Sequence, residues 1–141
     1  MSEITKSAGL STGPEFGPWL SQASILVVDD EPGMRNFLVK ILKPRCRKVS
    51  EAADTEEASR LLDEGHFDVV ILDNVMPGIN GVDWLREQRK VGFFADAILI
   101  TAFADLETAI RALQAGAVDF VLKPFRSIQI LNAVARCIDR I

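Results

Sequence analysis

Asp73 follows the run Val69-Val70-Ile71-Leu72, and Asp29-Asp30-Glu31 follow Ile25-Leu26-Val27-Val28. Thr101 closes Ala97-Ile98-Leu99-Ile100, and Lys123 closes Asp119-Phe120-Val121-Leu122. Short runs rich in β-branched residues read as strands buried on both faces, and such strands belong to parallel sheets covered by helices. Right-handed crossovers carry the C-terminal ends of these strands to one edge of the sheet, so the acids, the hydroxyl and the ammonium share a rim. Three carboxylates gathered there repel one another unless a cation is supplied. Hard oxygen ligands with room left for water and a phosphate suit Mg2+ (or Mn2+) better than zinc, for which the chain offers no Cys/His set. Lys123 supplies a point positive charge and Thr101 a hydroxyl, the partners that phosphoryl oxygens need. Together they describe phosphoryl transfer, with Asp73 as a nucleophile that forms an acyl phosphate and with Asp29 and Asp30 holding the metal. Taken alone, Asp73 reads equally well as a turn cap. The second acidic strand end upstream is what favours chemistry.

The elements that must position these residues alternate along the chain. After Asp29-Asp30-Glu31, Pro32 suits a first helical turn, and Met34, Phe37, Leu38, Ile41 and Leu42 share one face up to a stop before Pro44. Lys48–Ala52 is half-polar and reads as an edge strand. Asp54 with Glu57 resembles a capping box for a second helix ending at Gly65. Pro77-Gly78 turns the chain after Asp73 into a third helix carrying Val82, Trp84 and Leu85. Asp105 is the expected N-cap of a fourth helix that stops at Gly116, and Ser127 the expected cap of a fifth. Five strands alternating with five helices predict a doubly wound α/β fold. Spacing alone does not fix the strand order; analogy with small doubly wound proteins gives 2-1-3-4-5, which makes the strands ending in Asp29 and Asp73 neighbours.

With 141 residues and 48% hydrophobic content, the chain fits one domain. Residues 1–23, rich in Gly and Pro, read as a flexible extension, and 24–141 as the folded unit; Phe16, Trp19 and Leu20 form an apolar trio able to dock on its edge. The net charge of −4 comes from well-mixed residues and gives no nucleic-acid footprint. No apolar stretch approaches a membrane span, and the expected location is the cytoplasm. Cys46 and Cys137 have no metal spacing and read as structural thiols, and the single histidine, His66, as structural too.

Asp29-Asp30, Asp73 with Met76-Pro77-Gly78, Gly81, Thr101-Ala102, Gly116-Ala117-Val118-Asp119-Phe120 and Lys123-Pro124-Phe125 together resemble the receiver domain of bacterial two-component response regulators. The resemblance spans about Ile25 to Ile141, and from Thr101 to Phe125 it is closest to receivers of nitrogen-regulator-type transcriptional activators. It implies a flavodoxin-like fold with strand order 2-1-3-4-5 and a phosphorylation-activated switch rather than a turnover enzyme. Asp73 would be the phosphoacceptor, served by the phosphohistidine of a sensor histidine kinase. Asp29, Asp30, Asp73 and the backbone carbonyl of Val75 would hold the metal, Lys123 would bind the phosphoryl group, and the Lys123-Pro124 bond would be cis. Thr101 and Phe120 would form the switch, altering the surface of helix four, strand five and helix five. Phe120 departs from the tyrosine often found there, so its output must rest on shape; a permanently buried aromatic is the competing reading. Val75 and Phe103 stand where the family tunes the approach of hydrolytic water, and both are apolar, which implies slow self-dephosphorylation. The resemblance also supports homodimerisation through helices four and five, an effector domain or downstream protein as partner, and a chain that is a fragment of a longer regulator. The breadth of apolar residues on the fifth helix fits either a partner surface or a helix set deep against the sheet.

Three rivals share the architecture or the site. A flavodoxin-like redox module needs neutral amides after its first strand, where Asp29-Asp30-Glu31 would repel a flavin phosphate. An aspartyl phosphatase usually wants an acid two residues after its nucleophile, and that position is Val75. An unphosphorylated receiver acting as a protein-interaction module is opposed by retention of all five rim residues.

Overall fold

The computed structural model describes residues 19–93, 95–102 and 106–139. Its elements run β1 (Ser24–Val28), α1 (Pro32–Leu42), β2 (Lys48–Ala52), α2 (Thr55–Glu64), β3 (Val69–Asp73), α3 (Gly81–Lys90), β4 (Asp96–Thr101), α4 (Leu106–Gln114), β5 (Ala117–Leu122) and α5 (Ser127–Asp139). All five strands are parallel, in the order β2-β1-β3-β4-β5. This is the flavodoxin-like doubly wound sheet expected from the sequence. The half-polar Lys48–Ala52 lies at an edge, and β1 and β3, buried along their whole lengths, lie side by side.

Strand alternation divides the core into two layers. Ile25, Val27, Ile71, Ile98 and Ile100 face α1 and α5, whereas Leu26, Val70, Leu72 and Leu99 face α2, α3 and α4. Each fully buried Leu or Ile contributes about 1.5–3 kcal/mol of transfer free energy, so the alternating runs fix which strand face meets which helices.

Local chemistry sets the helix ends. Glu31 caps α1, its Oε1 accepting from the Met34 N–H at 2.8 Å. At α2, Asp54 accepts from the Glu57 N–H at 2.7 Å, as the sequence predicts, but the Glu57 carboxylate returns to the Ala53 N–H at 2.9 Å instead of to that of Asp54. At α5, Ser127 is already helical, and Gln129 Oε1 reaches back to the Arg126 N–H at 2.7 Å. Asp105 lies outside the described residues.

Two stretches bear on readings left from the sequence. First, within the stretch read as an extension, Leu20–Gln22 form a 3-10 turn, and Leu20 and Ala23 are buried in the core beside α5. Leu20 docks as its apolar character suggests, Trp19 remains half exposed, and Phe16 lies outside the described residues. Secondly, of the two readings of α5 open in the sequence, a partner surface or a helix set deep against the sheet, these residues follow the latter, since Ile130, Leu131, Val134, Ala135, Cys137 and Ile138 are all buried. The exposed large apolar side chains of this region are Ile110 and Leu113 on α4 and Val118 and Leu122 on β5. Both thiols are sheltered, and burial pushes that of Cys46 up to about 11.

Candidate functional site

β1, β3 and β5 deliver the acids and the lysine to one place. Oxygens of Asp29, Asp30 and Asp73 all lie within 4.8 Å of one another, and Lys123 Nζ stands 3.3 Å from Asp73 Oδ1. Asp29 and Asp73 are buried and Asp30 is exposed, so the cup opens to solvent along one wall. The Lys123-Pro124 peptide bond is cis. Thr101, fully buried, ends β4 one residue beyond Ile100, the register partner of Asp73, and its carbonyl accepts from the Lys123 N–H at 2.9 Å.

The electrostatics follow from that crowding. Burial raises the Asp73 carboxyl above the ordinary carboxylate range; Lys123, by charge and hydrogen bond, and the Val75 N–H oppose it, while Asp30 adds to the rise. Asp29 is pushed up to about 6, chiefly by burial, with the Glu31 N–H and Lys123 opposing and Asp73 and Asp30 adding. One oxygen of Asp29 accepts the Glu31 N–H at 2.9 Å; the other, Oδ2, is buried and has no hydrogen-bond partner. A buried, unpaired carboxylate oxygen facing two further acids fits a divalent cation: the donors are hard oxygens, and the missing charge is positive.

The turn after β3 is built by residues the sequence reading missed. The Asn74 N–H donates to the Ile100 carbonyl at 2.9 Å, its carbonyl accepts from the Gly81 N–H at 2.8 Å, and its side-chain oxygen accepts from the Val82 N–H at 3.1 Å. Asn80 caps α3 through the Asp83 N–H. Helix α3 thus abuts the acid-bearing end of β3, and a Cβ at Gly81 would lie 2.7 Å from the Asp73 carbonyl oxygen. An Asn flanking an acidic strand end and another just before a helix were the available signals. Val75 presents an exposed side chain beside this turn, and Phe103 lies outside the described residues.

Phe120 is not part of the acid cup. It pairs in register with Leu99 near the middle of β5 and is half buried against the layer beneath α2, α3 and α4. Thr101, two residues beyond Leu99, points to that same face by strand alternation. His66 is exposed, 2.9 Å from Asp68 at the other end of β3 and remote from the acids.

Residues 25–135 match the response regulator receiver domain. The chain belongs to that family. Receiver domains are signalling switches served by sensor histidine kinases, not turnover enzymes. Among relatives, the chain is 33% identical to the C4-dicarboxylate transport transcriptional regulatory protein DctD of Pseudomonas aeruginosa over 88% of its own length, and 39% identical to the regulatory protein AtoC of Escherichia coli over 72%. It spans only 27% and 22% of those proteins. Both bear the names of regulatory proteins, DctD that of a transcriptional one, in keeping with the resemblance seen in the sequence. The response regulator protein TrrA of Thermotoga maritima, solved in complex with Mg2+ and BeF, superposes with a TM-score of 0.73 at 33% identity, covering 82% of this chain and 99% of that one. The Francisella response regulator 1452 receiver domain gives 0.78 at 27% identity, with 84% and 98% covered.

Proposed function

We propose that this receiver accepts a phosphoryl group on Asp73 from the phosphohistidine of a sensor kinase and passes the change to an output that controls transcription. The observation that carries the reading is the Lys123 ammonium 3.3 Å from a buried Asp73 whose neighbours are two further carboxylates. An Asp73 Oδ attacks phosphorus, the P–O bond forms as the P–N bond breaks, and the leaving imidazole nitrogen takes up a proton. Asp29, Asp30, Asp73 and the Val75 carbonyl would hold a magnesium or manganese ion, whose charge offsets the acids and the incoming phosphoryl oxygens. Lys123 binds one of those oxygens, and Thr101 offers its hydroxyl to another.

Thr101 and Phe120 carry the signal. Movement of the Thr101 side chain toward the phosphoryl group opens room on the sheet face that Phe120 shares, and Phe120, half buried, is free to repack. Taking the active state from 1:99 to 99:1 requires about 5.5 kcal/mol of preference, within reach of a dianion contacting an ammonium, a hydroxyl and a metal. The altered surface is that of α4, β5 and α5, where Ile110, Leu113, Val118 and Leu122 are exposed and suit a homodimer contact or an effector domain. A cytoplasmic location accords with the absence, among the described residues, of a helix long and apolar enough to cross a membrane. The name of the relative DctD, a transcriptional regulatory protein, supports transcription as the output.

Incubation with a small phosphodonor and Mg2+, followed by intact mass, tests the reading. The wild type is expected to gain one phosphoryl group and Asp73→Asn none; equal gain by both would refute the role of Asp73. The lifetime of the product is expected to be long, and a Val75→Asn, Phe103→Glu double variant to shorten it. A wild-type lifetime below that of the variant would contradict the apolar screen.

A further inference from the structure

Gathering three carboxylates is not enough to bind a cation; each must also be aimed. Asp73 is aimed by Lys123 and Asp29 by the Glu31 N–H. No hydrogen bond among the described residues holds the exposed carboxylate of Asp30, so its direction depends on the backbone that carries it. That backbone is tied from two sides. The Asp29 N–H donates to the Ala52 carbonyl at 3.1 Å, and the Asp29 carbonyl, which belongs to the peptide linking Asp29 to Asp30, accepts from Arg35 Nη1 at 2.7 Å. Arg35 Nε in turn donates to Glu51 Oε1 on β2 at 3.1 Å. The guanidinium is fixed at one end by a strand and at the other by the acid-bearing peptide. The Arg35 side chain is 17% exposed and that of Glu51 46%, so the guanidinium is partly sheltered at its Asp29 end while its acidic partner stands at the surface.

Resting on the reading of the site as a metal-dependent phosphoacceptor, we propose that Arg35, braced by Glu51, is a positioning residue: it sets the plane of the Asp29–Asp30 peptide and thereby the aim of both carboxylates toward a divalent cation. An unpaired cation beside an acid cluster would compete with the metal. Glu51 offsets the charge of Arg35, and the hydrogen bonds of the guanidinium go to a backbone carbonyl and to Glu51. Its action is therefore geometric. Lysine cannot reproduce it, because a single ammonium lacks the planar fork that serves two acceptors in fixed directions. Groups that orient metal ligands from outside typically alter metal affinity 10–100-fold, which sets the size of the effect expected here.

Binding of Mn2+ to the unphosphorylated protein, read from loss of the free-ion paramagnetic resonance signal, tests this without any phosphoryl transfer. Arg35→Ala is expected to weaken Mn2+ binding at least about tenfold. Arg35→Lys should fall between it and the wild type, and Glu51→Gln should weaken binding less, with no further loss when added to Arg35→Ala. Melting curves in chelator identify the variants that fold, and if Arg35→Ala does not, Arg35→Lys and Glu51→Gln decide. Folded variants with wild-type affinity would overturn the positioning role while leaving the site reading intact. A wild type that binds no Mn2+ would overturn the site reading itself and the inference with it.

Discussion

Asp29 shows how the site stores its need for a cation in a single side chain. A carboxyl raised from 3.8 to about 6 binds more protons in the native state than in the unfolded one across that interval. Its effect on stability is absent below the unfolded value and becomes fully unfavourable as pH rises through about 6, reaching on the order of 3 kcal/mol. In chelator near neutral pH, Asp29→Asn is therefore expected to melt above the wild type, the gap narrowing as pH falls toward about 4 and also when Mg2+ is restored to the wild type. Identical melting temperatures at neutral pH would show that the Asp29 charge costs the fold nothing. The acids and Lys123 were legible in the sequence because each ends an apolar run. Arg35 and Asn74 were not, because the contacts that tie them to the site are to backbone carbonyls and amides, and no pattern of side chains records where those atoms point.

Elements are positioned here by close approach as much as by burial. The first residue of α3 lies against the end of β3 so tightly that any Cβ at Gly81 meets the Asp73 carbonyl and the Asn74 backbone. Gly81→Ala is expected to cost about 1–3 kcal/mol of stability in urea unfolding and to slow phosphorylation by shifting Asp73. An unchanged midpoint and rate would mean that α3 can slide without disturbing the site. Element identity was readable from continuous apolar runs and period-3.6 patterning, and the edge position of Lys48–Ala52 from its half-polar composition, whereas the strand order needed analogy with known folds. The folded start at Leu20 was harder to place, since a three-residue 3-10 turn leaves no periodicity and its order comes from contact with α5. The same limit applied to α5, whose wide apolar face suits a partner or a deep groove until the sheet shows that the core fills it.

Across the whole molecule, the rim that holds the acids is balanced by a polar hub at the other end of the sheet. The Arg89 guanidinium at the end of α3 donates to the carbonyls of Phe93, Ala95 and Gly116, each at 2.9 Å, joining the lead-in to β4 with the turn before β5. Burial lowers its pKa, with Asp96 opposing. Gly116, at φ +97°, leaves room for it, because a Cβ there would sit 2.7 Å from Arg89 Nε. Arg89→Ala strands three carbonyls and is expected to cost about 2–3 kcal/mol, read from urea midpoints; an unchanged midpoint would show that water replaces the hub. The central proposal is that this fold presents Asp73 as a phosphoacceptor. The most direct measurement is to phosphorylate the wild-type protein with a small phosphodonor and Mg2+, cleave the acyl phosphate with hydroxylamine, and locate the modified residue by peptide mass spectrometry. A hydroxamate confined to Asp73 is predicted; a hydroxamate on another acid, or a phosphoryl group that resists hydroxylamine, would contradict the account.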